Sequence, residues 1–216
     1  EVSPRDADAI RRLKELGIPV IPCTGRPPLG TRQVMARLGL ELAVCSNGGC
    51  CQNFGEDRLL FAREMDHQVA HRLFRWLEEQ GLPFLVHAPK QIFASPGVTM
   101  PAHYLLRGKE DGGVVTSESS LDGVLILKVL ALGDDGMAAA EKARELFSPQ
   151  ELAICSSERA FVDFNPPGVS KGNGIRRLAA EMGWRLENIL AMGDNNNDLS
   201  MLEAAGMGVA PVSGLE

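Results

Sequence analysis

Residues Ile189–Leu202, ILAMGDNNNDLSML, decide the fold that the sequence predicts. The first four are apolar, which is typical of a parallel strand covered on both faces. Gly193 permits a sharp turn. Asp194 then follows the carboxyl end of the strand, where open α/β sheets bind their ligands. Apolar residues recur after the turn at helical spacing, so the stretch predicts a strand, an acidic turn and a helix.

The acidic turn has three interpretations. It can be a capped connection without chemistry, because any Asn or Asp from position 195 to 198 can cap a helix. A calcium loop is excluded, since Leu199 and Ala205 stand where such a loop requires Gly and Glu. The third interpretation is a magnesium site that serves a phosphate, with Asp194 as the ligand. The turn alone leaves the first and third interpretations open.

The composition sets the broad class of the protein. The chain has 216 residues, 44% of them hydrophobic and 23% charged, which suits one large or two small domains with a real core. A formal net charge of −6 argues against a nucleic-acid partner. No apolar run is long enough to span a bilayer, so we expect no membrane partner. The sequence does not predict an oligomeric state.

The cysteines and histidines lack the spacing of a metal site. Five cysteines, an odd number without framework spacing, predict reduced thiols and a cytoplasmic protein. The adjacent Cys50 and Cys51 have a poor arrangement for a metal or redox pair. His67 and His71 could share one helix face, but Gln68 stands where a zinc motif has Glu, and no third ligand is evident. We expect a solvated helix face there.

The predicted elements at the two ends of the chain alternate between helix and strand. The first part reads as a helix from Ser3 to Gly17, a strand Ile18–Cys23, a helix Gly30–Leu38 and a strand Leu42–Cys45. A helix that opens at Ser170 and ends at Gly183 precedes the stretch quoted above, and a strand Met207–Ala210 follows it. Short connections between such elements predict right-handed crossovers and a parallel sheet.

The middle of the chain has a different pattern. A helix capped by Asp66 runs to about Gln80, and a polar, Gly-rich stretch, Gly108–Ser120, predicts a mobile loop. The other predicted elements are the strands Phe84–His87, Ile92–Ala94, His103–Arg107, Val124–Leu132, Leu152–Cys155 and Ala160–Phe164, and the helix Ala138–Phe147. This block predicts a separate inserted α/β domain.

Polar residues follow the strands of the predicted parallel sheet. Thr24 and Asn47 each come after a strand, Lys171 lies at a helix N-terminus, and Asp194 follows the last buried strand. A hydroxyl, an amide, an ammonium and a metal ligand around helix N-termini make a phosphate site. Each residue alone is also compatible with an ordinary turn or a solvated helix end.

In this order the residues resemble the haloacid dehalogenase superfamily of phosphohydrolases, and within it the Cof-type branch. The matching segments are Cys23–Pro27, Ser46–Gly49, Gly168–Gly172 and Gly193–Asp198. The resemblance implies an α/β fold with a doubly wound, parallel, Rossmann-like core and an inserted α/β cap. We expect the core at residues 1–63 and 164–216, and the cap at residues 64–163.

The resemblance also implies roles for individual residues. The implied catalytic residues are Thr24, Lys171, Asp194, Asn197 and Asp198. The first two would bind the phosphoryl oxygens, and Asp194 would ligate Mg²⁺. The last two would position the phosphate, metal-bound water or the lysine.

Two further residues, Arg26 and Asn47, would lie near the substrate according to the same resemblance. The family's first motif, an Asp-x-Asp pair on a strand before the first helix, is not matched. Asp6 and Asp8 lie inside the predicted first helix and cannot substitute for it. We therefore expect the nucleophilic aspartate upstream of Glu1.

The sequence thus predicts a magnesium-dependent phosphatase that acts on small phosphorylated metabolites, with sugar phosphates as the expected class. Members of this family transfer the phosphoryl group to an aspartate and then to water. Two alternatives remain open. One is a sugar phosphomutase of the same architecture, and the other is a phosphate-binding protein without catalytic power.

Overall fold

The structure, a computed structural model, describes residues 2–98, 112–114, 121–133, 136–158 and 161–212. The helices are α1 Pro4–Glu15, α2 Pro28–Leu38, α3 His67–Glu79, α4 Gly136–Leu146, α5 Lys171–Met182 and α6 Leu199–Ala204. The strands are β1 Leu42–Cys45, β2 Cys50–Asn53, β3 Arg58–Ala62, β4 Phe84–His87, β5 Ile92–Ala94, β6 Gly112–Val114, β7 Lys128–Leu132, β8 Ala153–Glu158, β9 Phe161–Asn165, β10 Leu190–Met192 and β11 Met207–Val209. No described helix is long and apolar enough to cross a membrane.

Local capping signals define the helices of the core. Ser3 and Asp6 form the capping box that the sequence predicts for α1. Ser170 accepts a hydrogen bond from the Asn173 N–H and caps α5, which ends at Gly183 in the left-handed conformation (φ 67°). These helix boundaries therefore follow from residues at or next to each helix end.

The first part of the core is an antiparallel ladder in the order β1-β2-β3. The prediction of a strand at Ile18–Cys23 is wrong, because among these residues only Cys23 forms a parallel bridge, to Val44 of β1. Pro19 and Pro22 supply no N–H to a ladder, which limits pairing in this segment. In the described part of the chain the Cys23 N–H has no backbone acceptor. The segment is extended and pairs on one side only.

The second part of the core contains the parallel pair β10–β11. The prediction of a strand buried on both faces is wrong here: the side chain of Ala191 is buried, but Leu190 is 56% exposed and Met192 is 69% exposed. No described strand pairs with the edge of β10 opposite β11. Buried residues of α5 and α6, Ile175 and Met201 among them, cover the inner face of Ala191.

The inserted block forms a second sheet in the order β6-β5-β4-β7-β9-β8. The helices α3 and α4 cover one face of this sheet with apolar side chains from Phe74, Leu77, Ala140 and Ala143. The opposite face is apolar at one end, where Leu29 of α2 packs against it. This sheet therefore has two helices on one side and the core on the other.

The inserted block differs from the sequence prediction in two places. The strand predicted to begin at Val124 begins only at Lys128. Within the stretch predicted as a loop, Gly112–Val114 pairs in parallel with β5, so the loop prediction is wrong for these residues. The predicted strand His103–Arg107 lies outside the described residues.

Candidate active site

The acidic turn after β10 is organised by Asp198. One oxygen of its carboxylate lies 2.5 Å from Lys171 Nζ, and both side chains are buried. The other oxygen accepts the backbone N–H groups of Asp194 and Asn195, each at 3.1 Å. The turn thus joins the end of β10 to the start of α5 through one carboxylate. Because both of its oxygens are engaged, Asp198 fixes the lysine and shapes the turn.

Asp194 has a different environment in the same turn. Its side chain is exposed, and no described residue forms a hydrogen bond or ion pair with its carboxylate. Gly193 lets the backbone after β10 lie close to Asp198, since a Cβ at Gly193 would lie 2.4 Å from the Asp198 Cβ. Asp194 is therefore the carboxylate of this turn that is available to a ligand.

Lys171 is the first residue of α5, where the helix presents unpaired N–H groups and positive charge. The next N–H, of Gly172, donates to Ser200 Oγ at 3.1 Å. A Cβ at Gly172 would lie 2.1 Å from the Ser200 carbonyl oxygen, so this helix end packs directly on α6. The ammonium group keeps two donors beyond its bond to Asp198. This helix end can bind an anion.

Thr24 lies in the turn after the extended segment, as predicted. Its N–H donates to the Val44 carbonyl at 2.9 Å, and its Oγ1 accepts the Arg26 N–H at 3.1 Å. A hydroxyl that accepts one bond can still donate its own hydrogen. The Arg26 side chain is exposed on the same turn, and the backbone carbonyl of Arg26 accepts the Ser46 N–H.

Asn47 connects this turn to the acidic turn. Its backbone is left-handed (φ 57°, ψ 29°), and its N–H donates to the Thr24 carbonyl at 3.0 Å. Its side-chain oxygen accepts a hydrogen bond from Asn197 Nδ2 at 3.3 Å. The structure therefore brings Thr24, Asn47 and Asn197 into one network, although they are far apart in sequence.

Two buried charged residues of the second sheet were missed by sequence reasoning. Lys128 of β7 and Asp163 of β9 form an ion pair at 2.6 Å, and each side chain is about 5% exposed or less. Asn47 Nδ2 donates to Asp163 Oδ2 at 3.2 Å. A lysine at the centre of the apolar run Val124–Leu132 was the available signal, because a buried lysine needs a partner.

The cysteines and histidines form no metal-binding group in the described part of the chain. All five cysteines are free, and burial raises the pKa of Cys23 to about 12. A thiol with that pKa is protonated at neutral pH and is a poor nucleophile. His67 lies 3.3 Å from Glu64 on an exposed surface. No three described His, Cys, Asp or Glu residues are grouped closely enough to hold a metal ion.

A family model for haloacid dehalogenase-like hydrolases matches residues 1–213. The chain belongs to this family. The predicted fold is confirmed: a haloacid dehalogenase-like hydrolase from Bacteroides thetaiotaomicron superposes with a TM-score of 0.86 at 23% identity. That comparison covers all of this chain and 84% of that one. The mixed α/β architecture with a second sheet is the core and cap of haloacid dehalogenase-like hydrolases.

Curated relatives of this hydrolase are phosphatases. The 5-amino-6-(5-phospho-D-ribitylamino)uracil phosphatase YwtE of Bacillus subtilis (strain 168) is 28% identical, over 97% of this chain and 81% of that protein. The pyridoxal phosphate phosphatase YbhA of Escherichia coli (strain K12) is 26% identical, over 96% of this chain and 80% of that protein. The family and these names support the predicted phosphoric monoester hydrolase.

Proposed function

We propose that this protein is a magnesium-dependent phosphatase of small phosphorylated metabolites, with sugar phosphates as the expected class. One observation carries the proposal: Lys171 lies buried at the N-terminus of α5, held by Asp198 beside the exposed carboxylate of Asp194. An ammonium and a helix N-terminus favour a phosphate, and a free carboxylate beside them favours a cation that accompanies it.

The described residues have distinct proposed tasks toward the phosphoryl group. Lys171 donates to its oxygens and offsets the charge that develops on them during transfer. Thr24 donates its hydroxyl from the turn after the extended segment. Asn197, fixed by Asn47, orients a polar amide toward the same region. Arg26, exposed on the Thr24 turn, is proposed to contact the remainder of the substrate.

Asp194 fits a magnesium site. Mg²⁺ is bound by one or two carboxylates together with phosphate and water, and Asp194 supplies one carboxylate without a competing protein partner. Bound there, the ion would neutralise phosphoryl charge and orient the phosphate. Asp198 is less suited as a direct ligand, because Lys171 and two backbone N–H groups already occupy its oxygens.

The proposed nucleophile is an aspartate on a strand that lies between the extended segment at Cys23 and β10. Both neighbouring edges are unpaired among the described residues, and Leu190 and Met192 are exposed beside one of them. A parallel strand seated there would end next to Thr24 and Asp194. We propose that this strand is upstream of Glu1.

The proposed reaction has two steps. The aspartate oxygen forms a bond to phosphorus as the ester P–O bond breaks, and the leaving oxygen takes a proton from a second carboxylic acid. That carboxylate then removes a proton from water, whose oxygen attacks phosphorus and releases inorganic phosphate and the aspartate. Lys171 donates hydrogen bonds to the transferring oxygens in both steps.

The substrate class rests on what the relatives are named for. Those names include a phosphorylated ribityl compound and pyridoxal phosphate, both small phosphate monoesters. We propose that residues 64–163 form a cap that selects the organic part of the substrate, with the core at residues 1–63 and 164–216. The free cysteines support the proposed cytoplasmic location.

Hydrolysis of a panel of phosphate monoesters tests the proposal. The panel contains sugar phosphates, a phosphorylated sugar alcohol, pyridoxal phosphate and an aryl phosphate, each assayed with Mg²⁺ and with a chelator. We expect release of inorganic phosphate that requires Mg²⁺. Isomerisation of a sugar phosphate without phosphate release would instead indicate a phosphomutase. Binding without turnover of any ester would contradict both activities.

A further inference from the structure

A continuous chain of buried polar groups crosses from the second sheet to the acidic turn. Lys128 Nζ lies 2.6 Å from Asp163 Oδ1, and Asp163 Oδ2 accepts from Asn47 Nδ2 at 3.2 Å. Asn47 Oδ1 then accepts from Asn197 Nδ2 at 3.3 Å. The two charged residues and Asn47 are at most 4% exposed. The chain therefore joins strands β7 and β9 to the turn that carries Asp194.

Lys128 also attaches this chain to the Thr24 turn. Its ammonium donates to the Gly25 carbonyl at 2.9 Å. A Cβ at Gly25 would lie 2.8 Å from Asn47 Oδ1, so the turn and the Asn47 amide are in direct contact. One ion pair from the cap sheet thus contacts the Thr24 turn directly, and it reaches Asn197 through Asn47.

The direction of each hydrogen bond in this chain follows from the chemistry of the carboxylate. An ionised Asp163 only accepts, so the Asn47 amide must turn its NH₂ group toward it. The Asn47 oxygen then faces Asn197 and accepts from that NH₂ group. The Asn197 side-chain oxygen is therefore not used by Asn47. A neutral amide at position 163 could donate as well as accept, and the orientation of the Asn47 amide would then depend on its longer contact, from Asn47 Nδ2 to Asn165 Oδ1 at 3.5 Å.

Stability alone is a weak reason for such a pair. Buried ion pairs often contribute nothing net compared with apolar residues of similar volume, because desolvation of both charges opposes their attraction. Breaking one partner is costly, since the other remains buried and unpaired. The geometry offers a more specific role, namely the fixed orientation of two amides.

We propose that Asp163 and Lys128 are positioning residues of the phosphate site, which act through Asn47 on Asn197. The inference rests on the proposed phosphatase function, and it adds that the cap sheet supplies part of the support of the core's catalytic turn. The cap thereby contributes to the rate of phosphoryl transfer in addition to selecting substrate.

The test uses Asp163→Asn, Asn47→Ala and the two combined, assayed on the best substrate of the wild-type protein. We expect Asp163→Asn to lower kcat by about 10- to 100-fold, the effect of a small misplacement near the reacting groups. KM should change by about twofold or less, because Lys171 and Thr24 are intact. In the Asn47→Ala background, Asp163→Asn should lower kcat no further.

Two additional variants separate positioning from folding. Lys90→Met removes an exposed ion pair between the two parts, Lys90 with Asp57 at 2.9 Å, and should leave kcat unchanged. Lys128→Met combined with Asp163→Asn removes both buried charges, so this variant should fold even if the single variant does not. It should show the same loss of kcat with a thermal midpoint close to that of the wild type.

Three results would overturn the inference. One is a wild-type kcat in Asp163→Asn or in the neutral double variant. Another is a full additional loss from Asp163→Asn in the Asn47→Ala background. A third is a rise in KM with kcat unchanged, which would place the pair in substrate binding. If the wild-type protein hydrolyses no ester of the panel, the proposed function fails instead.

Discussion

At the scale of single residues, two carboxylates of one turn are proposed to have different tasks because their surroundings differ. Asp198 is buried, with one oxygen on Lys171 and the other on two backbone N–H groups. Asp194 is exposed and has no described partner. Charge-assisted hydrogen bonds of this kind hold the Asp198 side chain in one place. Asp194 remains free to bind a cation, so its replacement should affect activity far more than stability.

Asp194→Asn should abolish magnesium-dependent hydrolysis of an aryl phosphate and leave the fold intact. The amide has nearly the same shape but lacks the charge that a hard cation requires. The matched control is Glu203→Gln, an exposed carboxylate on the neighbouring α6, which should retain wild-type rates. Rates are measured over a range of Mg²⁺ concentrations, with circular dichroism to monitor folding. Wild-type turnover by Asp194→Asn at saturating Mg²⁺ would show that the assignment is wrong.

His87 should make the protein less stable in acid. The residue is fully buried, and burial, followed by the nearby Lys128, lowers its pKa well below 6.5. Below pH 6.5 the unfolded chain therefore binds a proton that the folded protein does not. The free energy of unfolding should fall by up to about 1.4 kcal/mol per pH unit from this residue, until the folded pKa is reached.

Urea unfolding at pH 7, 6 and 5 measures this effect. His87→Gln should flatten the decline between pH 6.5 and 5. Equal slopes for the wild type and His87→Gln would mean that this histidine does not titrate between the folded and unfolded states as inferred.

The sequence predicted candidate site residues that adjoin strand ends and helix ends, and it did not predict the buried charged pair that lies within strands. Thr24, Lys171 and Asp194 are marked by the turns around them. Lys128 and Asp163 sit inside apolar strands, and their pairing depends on which strands become neighbours. Strand order arises from tertiary packing, so a local pattern does not report it.

At the scale of elements, glycines set the distance between the Asn47 turn and α5. A Cβ at Gly48 would lie 2.0 Å from the Ser170 carbonyl oxygen, and one at Gly174 would lie 2.6 Å from the Gly48 Cα. Side chains at these positions would force the turn and the helix apart. The close contact between the turn and the helix places Lys171 and Asn47 at one site, and this contact depends on Gly48 and Gly174.

Gly174→Ala should destabilise the protein although Ala is the better helix former. The gain in helix propensity is about 1 kcal/mol, but the added methyl group would also lie 2.8 Å from Val44 Cγ1. Overpacking against backbone costs about 1 to 3 kcal/mol, so we expect net destabilisation and a lower kcat. Urea unfolding of Ala180→Gly, at an exposed position of the same helix, measures how much helix propensity alone contributes to the free energy of unfolding. Stabilisation by Gly174→Ala would show that the two elements are not in close contact.

At the scale of the whole molecule, the contacts between cap and core are of two kinds. The buried Lys128–Asp163 pair lies against the Thr24 turn, whereas Lys90 of the cap pairs on the surface with Asp57 of the core at 2.9 Å. Asp57 also pairs with Arg32, another core residue, at 2.7 Å. Arg32 and then Lys90 lower the pKa of Asp57 to about 2. Water screens an exposed ion pair of this kind, so the surface contact can open at little cost.

The cap should therefore hinge about the buried Lys128–Asp163 contact and close over the site when phosphate is bound. Closure excludes water from a phosphoryl-transfer site. We expect small-angle X-ray scattering to show a smaller radius of gyration with Mg²⁺ and inorganic phosphate than without them. Identical scattering profiles under both conditions would contradict a hinged cap.

The sequence predicted the architecture, but it did not predict how the central strands pair or how deeply they are buried. Alternating elements and the motifs at their ends were enough to predict a Rossmann-like core with an inserted domain. The segment Ile18–Cys23 and β10 read as ordinary buried strands, yet one pairs on a single side and the other exposes Leu190 and Met192. Burial of a strand depends on its neighbours, which a local apolar run cannot report.

We propose that phosphoryl transfer occurs through an aspartate on a strand between Cys23 and β10. The most direct measurement is acid quenching during turnover, borohydride reduction of the aspartyl phosphate, and location of the modified residue by mass spectrometry. We predict one modified aspartate, outside Glu1–Glu216, with modification lost in Lys171→Met. Modification of an aspartate within Glu1–Glu216, or of a serine, threonine, histidine or cysteine, would contradict the account.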